Sequence, residues 1–237
     1  MYLLTETASP FALERWAAFF ANFGQFAKGF FYTLGISIGA LIVALLLGLI
    51  FGAMSSTHNK VLRGISRVYV EIFQNTPLLV QFVVVFYGIS ILTDGHVMIP
   101  ISLTAILCVG VYTGAYISEI IRTGIEAVPK GQTEAALSQG FNNRQIFIYI
   151  IFPQAIRKML PSIISQFVTV IKDTSFLYSV IALQELFGKS QILMGGYYEP
   201  SQIFTLYGIV ALAYFVVNFA ISSYSRYLSK QWEQASE

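Results

Sequence analysis

The stretch FFYTLGISIGALIVALLLGLIFGAM, residues 30–54, carries no charged side chain over 25 positions. A helix needs about 20 apolar residues to cross the hydrocarbon of a bilayer, so this run predicts a transmembrane span. Working outward, residues 68–92, 99–121, 162–183 and 203–224 are apolar enough to do the same. The whole chain agrees: of its 237 residues 56% are hydrophobic and only 11% charged, against about 25% charged in soluble domains. A soluble fold of this size needs more polar surface than that to cover one core. The expected fold is therefore an all-α integral membrane domain of five transmembrane helices.

A net charge of +2 excludes the basic stripe of a nucleic-acid binder. One cysteine, Cys108, sits inside an apolar run and reads as a small packing residue. Two histidines without cysteine neighbours make no zinc pattern. The first apolar run is too long and too late for a secretory signal. Residues 11–26 are rich in aromatics and read as an amphipathic helix at the membrane surface. Trp16, Tyr69, Tyr224, Tyr227 and Trp232 read as interfacial anchors.

Orientation follows from lysine and arginine, which concentrate on the cytoplasmic side. Of the 14 basic residues, ten fall in the first loop, around the loop after the third span, or behind the last span. Only Arg15, Lys28 and Lys189 fall on the opposite side, and Lys172 lies within a span. The N-terminus is thus expected outside and the C-terminus inside. Glycines four apart, Gly35 and Gly39, Gly48 and Gly52, Gly110 and Gly114, predict helices whose backbones approach closely. The chain divides into an N-terminal extracytoplasmic or interfacial segment (1–28), a transmembrane domain (29–227) and a cytoplasmic tail (228–237).

Between residues 121 and 161 the chain stops looking like membrane. Pro129-Lys130-Gly131 is a turn signal. Residues 133–139 read as a short helix, with Gly140 where a left-handed cap is expected. A second helix is expected to start at the N-cap Asn142, with Gln145 reaching back to it, and to end before Pro153, which cannot continue the ladder. Two short helices with a sharp bend make a projecting knob, suited to receiving force from a soluble partner; the same residues also fit a plain connecting loop.

Glu134-Ala135-Ala136, then Gly140, then Ile150 and Pro153 resemble the EAA loop of type I ATP-binding-cassette (ABC) importer permeases: E-A-A, three residues, G, nine residues, I-x-L-P. Phe152 replaces the usual Leu, one apolar residue for another. Glu71-Ile72-Phe73-Gln74-Asn75-Thr76-Pro77-Leu78-Leu79-Val80-Gln81 is similar to that family's second-helix motif, with Gln74 where an Arg often stands. Residues 115–122 and Lys172-Asp173-Thr174-Ser175 resemble motifs of the polar amino-acid branch, which serves histidine, glutamine, glutamate and arginine uptake.

The resemblance implies a permease subunit in the bacterial cytoplasmic (inner) membrane that translocates a polar amino acid inward. It further implies two ABC ATPase subunits per complex, a second permease (same chain or paralogue) and an extracytoplasmic amino-acid-binding protein. Glu134, Ala135, Ala136, Leu137, Gly140 and Pro153, within the loop 129–153, would form the coupling helix and its bend. The sequence has no Walker A pattern, so ATP and Mg are expected on the partner ATPase. The chain is read as a transport subunit and not an enzyme, with no cofactor of its own.

Ionisable residues at membrane depth default to functional hypotheses. Lys172 and Asp173 are adjacent, and neighbours on a helix do not face each other, so each needs a further partner. One reading sets Lys172 against the substrate α-carboxylate and Asp173 against its α-ammonium, with Thr174 and Ser175 supplying hydrogen bonds. The other makes them structural. Glu71, Gln74, Thr76 and Glu119 are further pathway candidates, although Glu119 and Arg122, three apart, also fit a local ion pair. Pro77 is expected to kink the second span. Competing classes are another ABC importer branch, an ion-driven transporter, which normally shows more spans in paired halves, and a membrane scaffold.

Overall fold

The computed structural model describes residues 13–196 and 200–234. The expectations placed on residues 1–12 and on the side chains of Arg15 and Trp16 lie outside what it describes. The described residues form helices joined by short connections. We label them α1 (Leu13–Ser55), α2 (Lys60–Asn75), α3 (Leu78–Leu92), α4 (Ile101–Glu126), α5 (Lys130–Ser138), α6 (Asn143–Ile181), α7 (Leu186–Met194) and α8 (Pro200–Gln234). Among the described residues four helices are long and apolar enough to cross a membrane, and five spans result when α2 and α3 count as one broken span.

Several expected boundaries are corrected. The aromatic segment expected as a surface helix is, over its described part, the start of α1, which runs 43 residues unbroken, about 64 Å. No proline interrupts it. The second span is not one kinked helix: α2 and α3 meet at 101°. The second helix of the loop does not stop before Pro153. It opens into a π turn at Phe147–Ile151 and continues as the long α6. The widened turn falls where Pro153 removes a donor and would crowd the Tyr149 carbonyl. Just beyond it, the Gln154 side chain folds back to donate to the Ile150 carbonyl at 2.9 Å.

The central seam is the α1–α4 pair, in which glycines of each helix receive side chains of the other. A Cβ at Gly48 would stand 2.4 Å from Ile117, one at Gly52 2.8 Å from Ile121, and one at Gly110 2.6 Å from Val43. Gly39 and Gly114 are equally confined, by Ile106 and by the Tyr69 hydroxyl, whereas Gly35 faces open space. Tyr69 is accordingly no interfacial anchor. It stacks on Phe51 and donates to the Val111 carbonyl at 2.7 Å. Cys108 is buried with Phe82, Val109 and Leu177 where α1, α3, α4 and α6 converge.

Candidate coupling loop and polar cleft

The short helix α5 projects with Glu134, Ala135 and Leu137 exposed, Leu137 by 50%, while Ala136 is buried. Gly140 adopts φ +82°, a left-handed conformation that costs a side-chain-bearing residue energy. Its N–H donates to Leu137 and the N–H of Phe141 to Ala136, at 3.0 and 3.1 Å, the pair of bonds that defines a Schellman cap. The chain then re-enters a helix through a complete capping box. Asn142 Oδ1 accepts from the Gln145 N–H at 3.0 Å, and Gln145 Oε1 accepts from the Asn142 N–H at 2.9 Å. Both devices stand where the sequence places them. Pro153 is exposed in the third turn beyond the cap.

The corner between α2 and α3 is built differently. Thr76 donates to the Ile72 carbonyl at 2.6 Å and Asn75 to that of Glu71 at 2.8 Å. Gln81 folds back from α3 to donate to the carbonyls of Phe73 and Thr76, at 3.2 and 3.0 Å. Gln74 reaches across to the Ala115 carbonyl on α4 at 3.2 Å. Carbonyls left without intrahelical partners at a helix end take such donors. The role of Gln81 was not read from the sequence, although it sits four residues after Pro77 in the quoted motif.

Glu71, Gln74 and Glu119 meet in one polar cleft of about 640 Å³ between the end of α1, α2 and the end of α4, on the α5 side of the molecule. His58, Arg63, Arg67, Arg122 and Glu126, none nominated for the pathway, line it too. Arg67 pairs with Glu71 at 2.7 Å, and Arg122 holds both Glu119 and Glu126. The expected Glu119–Arg122 pair is thus present within a three-residue cluster. Thr76 does not line this cleft, nor do residues 172–175.

Lys172 is exposed and Asp173 half-buried, at the point where α6 tightens into a 3₁₀ turn at Thr174–Phe176. No salt bridge joins them among the described residues. Thr174 is fully buried and donates to Ile171 at 2.8 Å, and Ser175 donates to Lys172 at 2.6 Å. Both hydroxyl protons are therefore spent on the turn.

A further polar node escaped the sequence reading. Glu185 is fully buried and accepts from Thr33, from Tyr214 and from the N–H groups of Phe187 and Gly188, at 2.6–3.2 Å. It caps α7 and ties that helix to α1 and α8. A lone Glu beside a leucine carries no sequence signal of that kind.

A family model described as "binding-protein-dependent transport system inner membrane component" matches residues 44–234. The chain is 38% identical over 200 residues to a probable glutamine ABC transporter permease protein of Bacillus subtilis (strain 168), covering 84% of this chain and 90% of that one. It is 31% identical over 205 residues to the glutamate/aspartate import permease protein of Escherichia coli (strain K12), covering 82% of each. Among solved structures, an amino acid ABC transporter with histidines superposes with a TM-score of 0.82 at 29% identity, over 91% of this chain and 97% of that one. The inward-facing methionine ABC transporter MetNI shares the fold, with a TM-score of 0.65 at 17% identity over 87% and 97% of the two chains.

Proposed function

This chain belongs to the family of inner membrane components of binding-protein-dependent transport systems, and we propose from that premise that its cargo is a polar amino acid. It is a multi-pass permease subunit of an ABC importer, a class that works with ATPase and binding-protein partners. The relatives named for glutamine and for glutamate/aspartate support the cargo class, as does the similar amino acid transporter.

In this reading two ATPase subunits bind ATP and Mg, a second permease completes the pore, and the chain hydrolyses nothing itself. The N-terminus is outside and the C-terminus inside. The observation that carries the coupling role is α5 itself, with Glu134, Ala135 and Leu137 outward, Ala136 packed beneath, and a left-handed Gly140 setting its angle. Such a helix, rigidly attached to the start of α6, passes a push from the ATPase into a span. Pro153 and the π turn before it lie on that line of force. Glu71, Gln74, Thr76 and Glu119 belong to the cytoplasmic end of the pathway. Lys172 and Asp173 face the α-carboxylate and α-ammonium of the cargo, Ser175 offers its hydroxyl oxygen, and Thr174 holds the turn from inside.

The test is ATP-driven uptake into proteoliposomes holding this chain, its ATPase and its binding protein, against a panel of radiolabelled amino acids. One or a few polar amino acids should accumulate, and Asp173→Asn should lower uptake at unchanged ATPase assembly. Failure of any ATPase to co-purify with the chain would end the coupling reading.

A further inference from the structure

The cleft beside α5 has two walls of opposite charge balance. The α2 wall offers Arg63 and Arg67 against one carboxylate, Glu71. The α4 wall offers Glu119 and Glu126 against one guanidinium, Arg122. Arg67 is spent on Glu71, but among the described residues Arg63 joins no ion pair and donates to a backbone carbonyl, that of Thr57 at 2.8 Å. Arg122 must serve two carboxylates, so the α4 wall keeps one negative charge in excess. The Arg67 and Glu71 side chains are 78% and 59% exposed, and such pairs exchange partners at little cost.

A cleft of about 640 Å³ with a spare cation on one wall and a spare anion on the other matches a ligand that carries both charges on groups bonded to one carbon. A free amino acid is such a ligand. Its carboxylate suits the planar fork of Arg63, which binds carboxylates bidentately. Its ammonium suits Glu126, the outer of the two acceptors around Arg122, with 56% of its side chain exposed. The hydroxyls of Ser55 and Ser56 at the end of α1 already donate to the Gly52 carbonyl. They leave lone pairs toward the same space, further acceptors for an ammonium.

We propose that this cleft is an exit-side binding site for the zwitterionic head of a free amino acid, separate from the Lys172–Ser175 turn. The proposal rests on the permease reading for its biological sense, but the site reads only the α-amino and α-carboxylate groups and not the side chain.

Glycine, acetate and methylamine separate the zwitterion from either charge alone, and saturation-transfer NMR on the full complex in nanodiscs reads their binding. Glycine should bind saturably, with acetate and methylamine each weaker by about tenfold, since each forfeits one charged contact. Arg63→Gln and Glu126→Gln should each weaken glycine by about the same factor, while Lys230→Gln, which removes a basic residue from α8, should not. Thermal melts of the variants check that they are folded. Glycine binding unchanged in both cleft variants, acetate binding as tightly as glycine, or an equal loss in Lys230→Gln would overturn the site. A wild-type complex that binds glycine in this pattern yet drives no uptake would sink the permease reading alone. A transporting complex that binds no glycine would sink the exit site alone.

Discussion

Two corners in this chain end one helix and start the next within a few residues, and they are held by opposite means. At Gly140 every bond that makes the turn joins residues no more than five apart: Gly140 to Leu137, Phe141 to Ala136, and the reciprocal bonds of Asn142 and Gln145. At Thr76–Pro77 the backbone is released by a proline and then secured by long side chains. Gln81 returns across eight positions to Phe73, and Gln74 bridges 41 positions to Ala115. The first corner is made by near neighbours in the chain. The second is a negotiated contact that depends on α4 being in place. Under the proposed coupling role, a lever that transmits force gains from the first kind of rigidity.

The comparison breaks most visibly at Gly140. Gly140→Val forces a β-branched residue to φ +82° with open space around it, a backbone cost of about 1–3 kcal/mol. That shifts the bent population by roughly tenfold or more. Uptake should fall by a similar factor while ATPase activity persists and α1, α4, α6 and α8 still insert. Transport at the wild-type rate would show that the bend is not the coupling element.

Gln81→Leu tests the other corner. It strips donors from two carbonyls at the end of α2, for about 1–3 kcal/mol of unsatisfied polar groups. Chemical denaturation in mixed micelles should show that loss, and spin labels on α2 and α3 should report a wider spread of angles. An unchanged angle distribution would mean that Pro77 alone makes the corner. The smallest effect belongs to Gln145→Ala, which removes one half of a capping box that Asn142 still serves, about 0.5–1 kcal/mol. A larger loss would show that the loop is less self-sufficient than its bonds indicate.

Legibility followed the same division. Gly140, Asn142 and Gln145 were readable because helix caps are chosen by neighbours a few residues away. The glycine pairs announced a close seam, and Gly39, Gly48, Gly52, Gly110 and Gly114 lie in it, but Gly35 does not. Spacing cannot say which side of a helix meets a neighbour and which meets lipid. The near-right angle at Pro77 shows in the sequence only as an expected kink, because a proline removes a bond without setting what replaces it. The run past Pro153 is hidden for a related reason: a π turn at Phe147–Ile151 carries the helix through the proline, and a π turn is not written in the local pattern. The charges of the cleft are scattered over residues 63–126 and gather only because α2 packs between the ends of α1 and α4.

By itself the sequence determined a membrane protein of several apolar helices, with a capped, exposed short helix beside the spans. Those properties arise from side-chain solvation and from bonds between near neighbours. Only the tertiary structure decided that α2 and α3 part at 101°, that Glu185 fastens α7 to α1 and α8, and that opposed charge excesses share one cleft. Those depend on groups far apart in the chain meeting in space, where partners are selected by packing and not by spacing.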